Sequence, residues 1–225
     1  MKQMIHTAFE TPVNFPQISQ IVYLGDKVAI VPDSFVVRRP NLLADFVSEI
    51  IADRLSPTDI TILLPEQELK QYEKNIRQAI PHKYHHDIVF AEHNSANPAH
   101  LAMLAVAKDD SPIKFNRTLV DADVVIPLER YEAVPGMGYF GMQGVLYPRF
   151  TDIETQKRFL FADAQKNRKK LLADLEQVIQ EAVCALGVLM TVQIVVDFQD
   201  QISKIIIGDT NEIKKQLKNL FVENL

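Results

Sequence analysis

The sequence predicts an α/β protein: a Rossmann-like parallel sheet with a smaller α/β second lobe made of a long helix, a β-hairpin and a last helix. Three observations predict it. Four short β-branched runs without polar alternation read as buried parallel strands. Amphipathic helical patterns separate them, which implies right-handed crossovers and a sheet covered on both faces. After Pro148 the order changes to helix, hairpin and helix, so the division falls between a Rossmann-like domain over 1–150 and a small αββα lobe over 151–225.

The strands are KVAIVP at 27–32, DITILLP at 59–65, DIVFAE at 87–92 and DVVIPL at 123–128. After the first strand, Leu42, Leu43, Phe46, Val47, Ile50 and Ile51 recur at three- and four-residue steps and make one apolar helix face. A second helix spans 66–79 through Leu69, Tyr72 and Ile76, and Pro81 helps to stop it. A third opens at Asn97 and Pro98, a cap followed by proline at the first helical position, and continues through Leu101, Leu104 and Ala105. A short one covers 116–121. From Asp152 to Leu186 helical spacing runs without an interior glycine or proline, and Gly187 is placed to end that helix in the left-handed conformation. TVQIVVDF and ISKIIIGD then flank 199–201 as an antiparallel hairpin, followed by a helix over 211–221. The hairpin either extends the first sheet or belongs to a separate lobe.

A chain of 225 residues with 47% apolar and 24% charged side chains can bury a substantial core. A net charge of −5 offers no basic stripe to neutralise a run of phosphates, so nucleic acid is not an expected partner. No apolar run reaches the roughly 18 residues of a spanning helix, and the N-terminus carries no signal-peptide pattern, so no membrane partner and a cytoplasmic location are expected. The single cysteine, Cys184, reads as a buried structural residue.

Four stretches carry a resemblance. LGDKVAIVPDSFVVRRP at 24–40, NRTLVDADVVIP at 116–127 and the glycine loop ERYEAVPGMGYFGMQGVLYP at 129–148 are similar, in matching order, to segments of the nickel-pincer-dependent lactate racemase family, and LGVLMTVQIVVDFQDQISKIIIGD at 186–209 is similar to the hairpin that begins the family's second domain. The resemblance implies a site between the two lobes and a covalently held nickel-pincer nucleotide as cofactor. It also implies two acid/base histidines, a tethering lysine, a nickel-ligating histidine and a substrate arginine. Carried onto this chain, the arginine falls on Arg39, with Arg38 as the neighbouring alternative. The histidines fall near Leu69 and Val134, and the lysine near Gly144. Leucine and valine have no titratable proton and glycine cannot form the link. The chain also has no histidine after His100, and 133–148 holds neither histidine nor lysine. The expectation is therefore a racemase scaffold without its nickel chemistry, with no cofactor, no metal site and no assigned catalytic residue.

In an open α/β sheet the ligand settles beyond the carboxyl ends of the strands. This makes Asp33, Arg39, Glu66, His93, Asn94 and Glu129, together with Gly136, Gly138, Gly141 and Gly144, the candidate ligand-binding residues. Arg39 either forks onto a carboxylate or phosphate or caps the following helix. The glycines either let backbone amides approach an anion or leave Met137, Tyr139, Phe140 and Met142 to pack on the second lobe. His93 and Asn94 either face the cleft or form a capping turn toward Asn97. The HKYHH run at 82–86 reads as a solvated turn rather than a metal site, Glu129 and Glu132 are candidate acid/base carboxylates of low specificity, and Lys166 to Lys170 read as an exposed helix face. Three functions compete: binding of a small anionic metabolite in the cleft, racemisation or epimerisation by relocated acid/base groups, and a structural or regulatory role, as a homo-oligomer through the apolar loop at 137–142.

Overall fold

The computed structural model describes residues 1–52, 55–106, 112–132, 142–163, 178–188 and 190–222. Eight strands appear among them: β1 (Val28–Pro32), β2 (Ile60–Pro65), β3 (Val89–His93), β4 (Leu101–Val106), β5 (Pro112–Asn116), β6 (Val124–Arg130), β7 (Met190–Val196) and β8 (Ile202–Asp209). The helices are α1 (Lys2–Glu10), α2 (Ile18–Ile21), α3 (Ser34–Val37), α4 (Pro40–Ala52), α5 (Glu66–Ala79), α6 (Arg117–Val120), α7 (Ile153–Asp163), a helical stretch α8 over 178–185, and α9 (Thr210–Val222).

Six strands form one sheet in the order β3-β2-β1-β6-β7-β8. All pairs are parallel except the β7–β8 hairpin, which joins the sheet through the parallel pairing of β6 with β7 and so extends it. Alternation of side chains distributes the strands between two cores. Val28 and Ile30 face a cluster with Phe46 of α4 and Phe9 of α1, whereas Ala29 and Val31 face one with Phe115, Phe150, Phe159 and Val183. Each fully buried aliphatic side chain contributes roughly 1.5–3 kcal/mol, so coverage on both faces is the main source of stability.

The structure overturns two expectations. Helical geometry after Pro98 lasts a single 3-10 turn, Pro98–His100, and the chain from Leu101 becomes β4, paired antiparallel with β5 in a separate ribbon. Leucine, alanine and methionine favour helix, but pairing with β5 buries Ile113 and Phe115 in the second core, and tertiary packing outweighs the local preference. Cys184 is exposed. Ile179, Ala182 and Val183 form the buried face of α8 at helical spacing, and Cys184 falls on the opposite side.

The long helix expected over 152–186 is helical at 153–163 and 178–185, and the part between lies outside the described residues, as does the Lys166 to Lys170 face. Gly187 adopts φ +76 and its amide bonds the Cys184 carbonyl at 3.0 Å, as a left-handed helix end requires. The sequence reading assigned no element to the first 21 residues. There α1 buries Ile5, Ala8 and Phe9, and Val13 lies along β8, accepting from Asp209 and donating to Ile207. Among the described residues no helix is long and apolar enough to cross a membrane.

Candidate functional site at the carboxyl ends of β1 and β6

The chain adds β2 and β3 on one side of β1 and then crosses to place β6 on the other, so the loops after β1 and β6 diverge. Ligands of open α/β sheets occupy this switch point. A cleft of about 710 Å³ opens there. Three arginines, Arg38, Arg130 and Arg149, and five carboxylates, Asp33, Glu66, Glu68, Glu129 and Glu132, line it.

Asp33 follows β1 directly and caps α3. One carboxylate oxygen accepts from the Val36 amide at 2.9 Å and the other from the Arg130 amide at 2.7 Å. Its own amide donates to the Leu128 carbonyl, continuing the β1–β6 register one residue past the Pro32–Leu128 pair. Burial raises the Asp33 carboxyl above its ordinary value in spite of the two amides.

Glu129 sits beside it with 3% of its surface exposed. Parallel pairing of β6 with β7 sets Gln193 opposite Glu129, and Thr191 points from the same face of β7 two residues earlier. Glu129 Oε1 accepts from the Gln143 amide at 2.7 Å, from Gln193 Nε2 at 2.9 Å and from Thr191 Oγ1 at 3.1 Å. The Val145 amide also bonds this carboxyl. The amides on both sides of Gly144 thus point at the chain's own carboxylate. Burial, reinforced by the neighbouring charge of Asp33, pushes Glu129 up to about 8 against these donors. Gln193 Oε1 is buried with no hydrogen-bond partner among the described residues.

The other charges in the cleft are matched except that of Arg38. Ser34 Oγ donates to Glu68 at 2.7 Å, and Arg149 pairs with the second oxygen of Glu68. Arg130 pairs with Glu132 and, at 3.4 Å, with Asp200. Glu66 pairs with Lys70, which holds its carboxyl below the ordinary value, and accepts from Asn94 Nδ2 at 2.7 Å. Arg38 is exposed at the cleft, and its guanidinium makes no ion pair or hydrogen bond among the described residues.

His93 ends β3 with 4% exposure. Nε2 donates to the Thr151 carbonyl at 3.1 Å, Nδ1 accepts from Asn116 Nδ2 at 3.2 Å, and the ring packs on Phe150 at 5.3 Å. These partners define the neutral Nε2–H tautomer, and burial pushes the pKa down to about 4.

Of the candidates read from the sequence, Asp33, Glu66, His93, Asn94, Glu129 and Gly144 all line the cleft. Arg39 does not. Its guanidinium stacks on Phe35 at 3.5 Å, donates to the Phe35 carbonyl and pairs with Asp200 at 3.6 Å, tying the turn after α3 to the β7–β8 hairpin. Gly136, Gly138 and Gly141 lie outside the described residues, as do Val134 and 137–141 of the apolar loop. Asn94 combines both of its readings, since its oxygen accepts from Ala96 in a capping turn and its amide nitrogen reaches Glu66. Among the described residues no group of three or more histidine, cysteine, aspartate or glutamate side chains is placed to hold a metal. The sequence reading missed Arg149, Thr191 and Gln193. A usable signal existed for the last two: polar residues at alternate positions of an otherwise apolar strand.

Residues 1–146 match the family model described as the lactate racemase N-terminal domain. Among solved structures the chain is similar to the lactate racemase apoprotein from Thermoanaerobacterium thermosaccharolyticum, with a TM-score of 0.64 and 14% identity over 96% of this chain and 53% of that one. It is also similar to a Thermotoga maritima protein from a structural genomics programme, with a TM-score of 0.60 and 14% identity over 92% and 53%. The chain spans about half the length of either structure, and at this identity the likeness shows the fold. No match was found among curated proteins.

Proposed function

Since the chain belongs to the lactate racemase N-terminal domain family, we propose that it uses the family's scaffold to bind a small anionic metabolite in the cleft, without nickel-pincer chemistry. One observation carries the binding reading: Arg38 is a cation at a cleft whose other arginines are already committed to carboxylates. Its planar fork suits a carboxylate or phosphate.

The residues present do not fit the nickel nucleotide. Leu69, near the place of one acid/base histidine, packs against the first core. Gly144, near the place of the tethering lysine, has no side chain, and Gln143 beside it donates its side-chain amide to Thr210 at 3.0 Å.

A thermal-shift panel of 2-hydroxy acids, sugar acids and nucleotides tests the binding reading. At least one anion is expected to raise the melting temperature, and Arg38→Ala is expected to abolish the rise. No response to any anion, or a response untouched by that substitution, would contradict it. Intact mass and nickel analysis of the purified protein test the loss of chemistry, which a stoichiometric nucleotide adduct with bound nickel would refute.

A further inference from the structure

We propose that the cleft takes up one proton together with its anion, the proton resting on the Glu129 carboxyl, and that the site thereby selects singly charged ligands over multiply charged ones. This rests on the reading of the cleft as an anion site.

Charge matching carries the inference. Charged groups line the cleft alongside Glu129 from the neighbouring elements: Asp33 from the end of β1, Arg38 from the turn after α3, and Glu66 and Glu68 from α5. Arg130 and Glu132 come from the end of β6, and Arg149 from the turn at 142–150. His93, from β3, is held neutral, and β7 contributes the uncharged Thr191 and Gln193. Glu68, Glu132 and Glu66 each have a cationic partner in Arg149, Arg130 and Lys70. Asp33 and Glu129 are in no ion pair among the described residues: amides meet Asp33, on which the charges of Arg149 and Arg130 act without an ion pair, and amides and neutral side chains meet Glu129. They are also adjacent, and the charge of Asp33 acts on Glu129.

An anion drawn to Arg38 therefore enters a cavity lined by two carboxyl groups that have no ion-pair partner among the described residues. With both ionised, carboxylates outnumber guanidinium groups on its walls, and a further negative charge is repelled. A proton on Glu129 removes that repulsion and converts the carboxyl from an acceptor into a hydrogen-bond donor at the wall of the cleft. Burial already favours this neutral form, placing the group near its midpoint in weakly basic solution. Ligand binding and proton binding then reinforce one another, as linkage requires. A dianion finds no second unpaired cation lining the cleft among the described residues, and Asp33 and Glu129 line the same cleft.

Titration calorimetry with glycerate and 3-phosphoglycerate, which share a carbon skeleton and differ in charge, tests this. Each titration is run in buffers of different ionisation enthalpy, below and above pH 8. Glycerate is expected to bind with uptake approaching one proton above the Glu129 midpoint and to weaken there by about tenfold per pH unit, with 3-phosphoglycerate the weaker ligand throughout. In Glu129→Gln the uptake should vanish. Glycerate binding without proton uptake, uptake unchanged in a folded Glu129→Gln, or tighter binding of the phosphorylated acid would overturn the proposal and leave the anion site standing. If neither compound binds, or if Arg38→Ala binds glycerate unchanged, the anion-site reading falls and this one with it. The uptake is read on the unaltered chain, so a variant that misfolds does not remove the test.

Discussion

His93 carries a titratable ring that the fold uses only in its neutral state. Its ordinary pKa of 6.5 falls to about 4 when it is buried between Thr151, Asn116 and Phe150. Between those values the unfolded chain binds more protons than the folded one, so stability rises with pH across the window. The contribution is complete above 6.5 and is lost as pH falls to about 4, an effect of roughly 2–3 kcal/mol. Urea denaturation followed through this range should show the loss, and His93→Gln, which keeps a donor for Thr151, should flatten it; an equally steep decline in the variant would show that other groups are responsible. Glu129 acts in the opposite sense: its raised pKa favours folding below 4.5 and that benefit disappears as pH rises through about 8. The sequence located both residues at strand ends. It gave no sign of their burial, because burial of His93 depends on Thr151 and that of Glu129 on Thr191 and Gln193, all distant in the chain. The same limit applies to Arg38 and Arg39, which only the path of α3 and the position of Asp200 tell apart.

The elements most legible in the sequence were those whose own residues define them. Three of the four strands, β1, β2 and β6, and helices α4 and α5 show burial that needs no partner to be recognised, whereas β3, read as a buried strand, lies at the sheet edge with only His93 of its residues buried. β4 was misread because its strand pairing, among the described residues, comes only from β5, a five-residue strand beginning with proline. The N-terminal segment was missed for a related reason: α1 is short, and Val13 gains its place only by lying against β8. At that contact Gly208 has φ +144, and a Cβ there would stand 2.2 Å from the Val13 carbonyl oxygen. Gly208→Ala is expected to cost about 1–3 kcal/mol, as overpacking of a rigid site does, and to speed proteolysis between α1 and α2. Unchanged stability and cleavage would mean that the N-terminal segment is held by α1 alone.

Across the whole molecule, the pairing of β6 with β7 makes one sheet of segments on both sides of residue 150. Amides of β7 should therefore exchange with the same opening free energy as those of β1 in native-state hydrogen exchange. Markedly faster exchange throughout β7 would show that the hairpin opens on its own. The hairpin itself was legible in the sequence, but its attachment was not, since parallel pairing between strands so far apart in the chain leaves no local trace. The site follows from this continuity, because Glu129 finds two of its donors on a strand that the chain reaches some sixty residues later. At the far border of the sheet, Val13 engages the backbone of Ile207 and Asp209. Those groups are thereby withheld from any other molecule seeking to add a strand at that point. Stacking of copies into ribbons through this margin would first require the chain's own beginning to be peeled away.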